Sequence, residues 1–199
     1  LALFLINLPA HDIQRRLDAV LSLCFDAMQY PPGTENQLSA NWLEHTRRPG
    51  WQAVAVVEAD AAAGNVPLAA ELSSAPLLGV TYGYNGAPDQ WWQQQVVAGL
   101  RRDGFPAPEI TKLMTSYFEL TELHIHPRAQ GHGLGEALMR RLLADRQEPH
   151  ALGCIREVNG GANRAWRLYR RLGCVDILRG HHFAGDPQAY AVLGLKLPL

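Results

Sequence analysis

The spacing of apolar positions changes along this chain, and each spacing predicts an element. Leu3–Leu8 is apolar apart from Asn7 and is read as an opening edge strand. Over His11–Met28, the residues Ile13, Leu17, Val20, Leu21, Cys24, Phe25 and Met28 recur three and four apart. That is the stripe of one amphipathic helix. Tyr30-Pro-Pro-Gly33 closes it. A second helix is expected over Glu35–Arg47, with Leu38, Trp42 and Leu43 inward, up to the break at Pro49-Gly50. Trp51–Glu58 and Leu77–Asn85 read as strands, and Asp60–Pro76, small and polar, as a loop. Pro88–Leu100 reads as helix, and Arg101–Ser116, with Gly104, Pro106 and Pro108, as a mixed connector. About 86–116 is therefore an inserted helical segment, longer than most connections within a compact domain. Its length points to a lid or a binding wall.

The next stretch is the most informative. Leu123 and Ile125 alternate with His124 and His126, the period of a strand with unlike faces. Pro127 ends that strand, expected over Tyr117–His126, because it lacks a backbone donor. Gly131, Gly133 and Gly135 follow at every second position. Leu134, Leu138, Met139, Leu142 and Leu143 then mark one face of a helix over Gly133–Arg146. Beyond it, Leu152–Val158 reads as a strand and Asn159-Gly-Gly161 as a turn. Asn163 is a good N-cap for a helix over Arg164–Leu172, with Ala165, Trp166, Tyr169 and Leu172 inward. Gly173 suits the position just past its end. Cys174–Phe183 and Ala189–Leu197 complete the chain as strands.

Composition narrows the class without choosing a function. The 199 residues suffice for one α/β domain, and 47% hydrophobic with 19% charged is ordinary for a globular chain. A net charge of −1 leaves no footprint for nucleic acid or an anionic membrane. No apolar run reaches transmembrane length. Cys24, Cys154 and Cys174 are odd in number and form no C-x-x-C pair, which favours reduced thiols in a cytoplasmic protein. His124, His126 and His132 lack the cysteine or acidic partners that would complete a metal site, so no metal is expected.

The strand, glycine turn and helix suggest anion binding. Glycines let backbone N–H groups crowd round an anion, and the helix start adds unsatisfied donors and the positive end of its dipole. Such a unit cradles phosphate. A P-loop needs G-x-x-x-x-G-K-[ST], and no Lys follows these glycines. A dinucleotide fingerprint needs G-x-G-x-x-G, and Gly131-His-Gly133-Leu-Gly135 fails at the third glycine. A tight turn without ligand is the plainer alternative.

The run Gln130-x-x-Gly133-x-Gly135 resembles the Q/R-x-x-G-x-G/A signature of the GNAT N-acetyltransferase superfamily. Asn163-Arg-Ala-Trp-Arg-Leu-Tyr169-Arg-Arg-Leu-Gly173-Cys174 is similar to that family's N-x-x-A-x-x-L-Y-x-x-L-G-F segment. Here the Asn lies one residue closer to the Tyr, and Cys174 replaces Phe. The resemblance covers about Tyr117 to Leu197; the first half matches in element order alone.

The resemblance implies a mixed, mostly antiparallel sheet splayed at its central strand and flanked by helices on both faces, an α/β (α+β) fold. It implies a single acyltransferase domain over 1–199. Acetyl-CoA would be the co-substrate. Its pyrophosphate would lie on Gln130, Gly131, His132, Gly133, Leu134 and Gly135, with Asn163 also touching it. Its pantetheine arm would pair with the backbone of Leu123, His124 and Ile125. The reaction would move the acetyl group to a primary amine of a small molecule or peptide by direct attack. Glu122 would be the general base, with Glu119 and His124 in reserve. Tyr169 would protonate the departing thiolate. A non-catalytic acyl-CoA-binding module is the alternative, and the paired C-terminal strands leave a homodimer open.

Overall fold

A computed structural model of the chain describes residues 1–28, 30–61, 67–158 and 164–199. In chain order these form β1 (Ala2–Asn7), α1 (Ala10–Arg15), α2 (Leu17–Met28), α3 (Glu35–His45) and β2 (Gln52–Ala59). Next come α4 (Ala69–Ser74), β3 (Leu77–Asn85), α5 (Trp91–Arg102), α6 (Ala107–Met114) and β4 (Phe118–Ile125). A 3-10 turn (Pro127–Ala129) leads into α7 (Leu134–Leu143), β5 (His150–Arg156), α8 (Arg164–Arg171), β6 (Val175–His181) and β7 (Tyr190–Lys196). Among these residues, seven strands make a sheet in the order β1-β2-β3-β4-β5-β7-β6. The pairs β1/β2, β2/β3, β5/β7 and β6/β7 are antiparallel, while β4/β5 is parallel. No helix of the described residues is long and apolar enough to cross a membrane.

The chain forms two compact units: Leu1–Gly83 with Glu122–Leu142, and Tyr84–Thr121 with Leu143–Leu199. In the first, Ile13, Val20, Cys24, Val54, Val57, Val80 and Leu138 are fully buried. The single helix expected over His11–Met28 is two. It breaks at Arg16, where the backbone turns to φ −108°, ψ 17°. The Arg16 guanidinium donates to the carbonyls of Ser73, at 2.9 Å, and Ala75. Those carbonyls end α4, a short helix inside the stretch expected to be loop. Arg16 thus supplies partners for carbonyls that α4 leaves unsatisfied. One long-range contact accounts for both departures, and apolar spacing carries no record of it. At the other end of α4, the Glu71 carboxylate accepts from the Leu68 amide at 2.8 Å.

In the second unit, the inserted segment is core. Val96 and Leu100 of α5 are fully buried. They cluster with Ile110 and Met114 of α6, and with Tyr117, Leu152, Leu178 and Val192. The expected connector over Arg101–Ser116 holds α6, whose Pro106 and Pro108 sit at the helix start, where a missing N–H costs nothing. Reading those prolines only as breakers hid a helix. One face of the segment therefore packs into the core of this unit. Trp92 packs against this cluster, 6.2 Å from the Tyr117 ring, while Trp91 lies 5.7 Å from Phe183 and stays exposed. The Tyr117 hydroxyl donates to Gln93 Oε1 at 2.9 Å. A Cβ on Gly86 would lie 1.9 Å from the Tyr117 ring, so only glycine fits there.

Candidate active site

The first unit carries most of the expected site. β4 ends where the His126 amide donates to the Leu78 carbonyl at 2.9 Å. The chain then makes the 3-10 turn, in which the Arg128 amide donates to His126 Nδ1 at 3.2 Å. Gln130 Nε2 donates back to the Ile125 carbonyl at 3.1 Å, tying the loop to the strand end. Gly131 and Gly133 adopt φ of +84° and +75°, conformations that other residues adopt at a cost. The Ala137 amide then donates to the Gly133 carbonyl at 3.1 Å as α7 begins.

This path leaves a row of donors. Among the described residues, the amides of Gly131, His132, Gly133, Leu134 and Gly135 donate no backbone hydrogen bond. Among the described residues, adjacent ones aside, no atom lies within 4 Å of where a Cβ of Gly131 or Gly133 would be, so the space beside them is open. Free amides at a helix start, with room beside them, suit a diphosphate. The donors are main-chain, which is why glycine spacing in the sequence could reveal them.

Glu122 and His124, two apart on β4, point the same way. His124 Nε2 donates to Glu122 Oε2 at 2.5 Å. The Glu122 side chain is 22% exposed and that of His124 only 4%. The Glu122 carbonyl accepts from the Thr81 hydroxyl at 2.8 Å, which fixes this stretch of strand. Burial alone would lower the pKa of the His124 imidazole. The Cys24 sulfur and the Glu122 carboxylate outweigh burial and raise it to about 10. Among the described residues, His124 Nδ1 makes no hydrogen bond of normal geometry. Burial also raises the pKa of the Cys24 thiol above its usual value.

A second histidine stands near this pair. His45 Nδ1 and the Tyr82 hydroxyl are 2.8 Å apart, and Tyr82 packs between Trp42 and Trp51 at 4.4 Å from each. Burial, then the Arg48 charge, depress the His45 pKa to about 4, against opposing pulls from Glu44 and Glu122. Sequence reading missed both Cys24 and His45 as neighbours of Glu122. The helical stripe did place Cys24 inward, but nothing in it named the residue opposite.

The second unit carries the remaining candidates. Glu119 is 3% exposed and its Oε1 accepts from the Tyr84 hydroxyl at 3.2 Å. A carboxylate so enclosed is a poorer base for an incoming amine than half-exposed Glu122. Tyr169, half-buried, lines a small, mainly apolar pocket with Leu120, Cys154 and Leu193. Its backbone is held at the end of α8. The Cys174 amide donates to the Tyr169 carbonyl at 3.0 Å and the Gly173 amide to the Arg170 carbonyl at 3.1 Å. With Gly173 at φ +90°, this is the paired-bond helix ending expected of glycine just past a helix. Asn163 and the Asn159-Gly-Gly161 turn lie outside the described residues.

The sheet and the amide row at a helix start fit the fold and loop that the motif resemblance implies for an acyltransferase. Residues 93–173 match the family described as acetyltransferase (GNAT) domain. The chain is 63% identical over 206 residues to "GCN5-like protein acetyltransferase Rv2170" of Mycobacterium tuberculosis, covering 100% of both chains. The chain therefore belongs to the GNAT acetyltransferase family. Among solved structures, it resembles the ribosomal-protein-S18-alanine N-acetyltransferase of Escherichia coli, with a TM-score of 0.60 at 13% identity, over 100% of this chain and 96% of that one. It also resembles Arabidopsis thaliana NAA60 in complex with acetyl-CoA, with a TM-score of 0.60 at 13% identity, over 98% of this chain and 99% of that one. At such identities these two likenesses concern the fold. As an acetyltransferase the chain is an enzyme, and the non-catalytic alternative is set aside.

Proposed function

We propose that this enzyme moves the acetyl group of acetyl-CoA to a primary amine by direct attack, without an acyl-enzyme intermediate. The observation that carries the reading is the row of unengaged amides from Gly131 to Gly135, open to an anion at the start of α7. These amides, set in place by Gln130, bind the diphosphate of the coenzyme. The backbone of Leu123, His124 and Ile125 pairs with the pantetheine arm, a mode that asks for no particular side chain. Asn163 is assigned to the coenzyme on the motif alone.

An alkyl amine has a pKa of about 10 and is protonated at neutral pH, so it must lose a proton before attack. Glu122 takes that proton, directly or through water. It is half-exposed, and Oε1 makes no hydrogen bond among the described residues while Oε2 is held by His124. The amine nitrogen then bonds to the thioester carbonyl carbon. An N–H of the Leu123–Ile125 backbone stabilises the negative charge that develops on oxygen. The intermediate collapses and the carbon–sulfur bond breaks; Tyr169, assigned on the motif, protonates the departing thiolate, and the second proton leaving the nitrogen returns through solvent to the tyrosinate.

The relative at 63% identity is described as a protein acetyltransferase, which favours a protein amine as the acceptor. Thiol release from acetyl-CoA, measured with lysine peptides, free-N-terminus peptides and small amines, tests the reading. Turnover with peptides above small amines is the expected result. Normal coenzyme binding without turnover on any amine would overturn it.

A further inference from the structure

The steps above assign no role to the His124 side chain beyond its contact with Glu122. His124 sits two residues along the strand from the proposed base, fully enclosed, with Nε2 on Glu122 Oε2 at 2.5 Å. Its other nitrogen faces inward, near Cys24 of α2, a residue with no exposure at all. The ring is therefore held on both sides, by an ionic hydrogen bond on one and by helix packing on the other.

His124 cannot itself be the base. No acceptor amine reaches a side chain that is 4% exposed. Nε2 already carries a proton, because it donates to a carboxylate. The other nitrogen, Nδ1, is buried in the interior, out of reach of an amine. A carboxylate on a half-exposed strand position is free to rotate about its side-chain bonds unless one oxygen is held. A charge-assisted hydrogen bond supplies that hold, being shorter and about twice as strong as a neutral one.

We propose that His124 is a positioning residue: its Nε2–H pins Glu122 Oε2, which leaves Oε1 as the oxygen that receives the amine proton. The inference rests on the reading of Glu122 as the base. It predicts that His124 acts only through Glu122, and that any N–H donor of similar reach partly replaces it.

A double-mutant cycle with a rescue variant tests this. Glu122→Ala should lower kcat on the order of 100-fold, as removal of a general base does. His124→Leu, of similar bulk but without a donor, should lower kcat about tenfold and leave KM for acetyl-CoA unchanged, as misplacement of a reacting group does. His124→Gln, which keeps an N–H, should recover most of that loss. The double variant Glu122→Ala, His124→Leu should be no slower than Glu122→Ala alone. Thermal midpoints of all four proteins guard against unfolding, and His124→Gln remains informative should His124→Leu fold poorly. If Glu122→Ala keeps full activity, the base assignment fails and the positioning role falls with it. If Glu122→Ala is slow but the losses multiply in the double variant, or His124→Gln is as slow as His124→Leu, the base stands and the positioning role is overturned.

Discussion

The side-chain amide of Gln130 donates to the Ile125 carbonyl at 3.1 Å, closing the five-residue path from strand end to glycine loop. The signature residue thus fixes where the loop amides stand. One such bond contributes about 0.5–1.5 kcal/mol net. Gln130→Ala should therefore raise KM for acetyl-CoA roughly three- to tenfold, by the same arithmetic, and change kcat much less. Calorimetry with CoA checks the binding directly. Unchanged affinity would mean that the loop keeps its shape without this tie.

Gly133 offers a complementary test, because no neighbouring atom lies near its missing side chain. At φ +75° a residue with a Cβ pays about 1–2 kcal/mol for its conformation. In Gly133→Val the loop should relax out of that conformation and scatter its amides. Coenzyme affinity should fall about tenfold or more, with little change in melting temperature, since the loop buries little. Equal affinity for CoA would remove the main-chain cradle.

Tyr169 is held at a capped helix end beside an apolar pocket, a setting that keeps its ring in place when the hydroxyl is removed. Tyr169→Phe should lower kcat on the order of 100-fold, the lower range for loss of a general acid. CoA affinity and melting temperature should stay near wild type. A parallel loss of binding and turnover would instead assign the tyrosine to packing.

His45 gives the fold an acid-side dependence. Its native pKa is depressed to about 4 from an ordinary 6.5, chiefly by burial and next by Arg48. Between those values the unfolded chain binds a proton that the native protein refuses. Stability therefore falls as pH drops from 6.5 toward 4, and this contribution is constant above that window. His45→Gln, which cannot titrate, should flatten that part of the curve. Melting temperatures of both proteins at pH 7 and pH 5 decide it. An equal drop in both would place the acid sensitivity elsewhere.

The sequence by itself determined the parts of this protein that rest on local chemistry. The glycine loop is legible because φ above zero requires glycine at Gly131 and Gly133 wherever the loop folds. The capped end of α8 is legible for the same reason at Gly173. The stripes of α2 and α7 follow from burial of one helix face. Only the tertiary structure decided how elements distant in sequence serve one another. Arg16 breaks a helix because carbonyls at Ser73 and Ala75 need donors. Prolines open α6 because Ile110 and Met114 can join the core built on Val96 and Leu100. Glu122 gains His124 as a partner because both side chains leave the same face of β4, and folding brings Cys24 of α2 near the histidine. A hydrogen bond or a buried charge takes its energy from neighbours brought in by folding, and apolar spacing along the chain registers burial without saying against what.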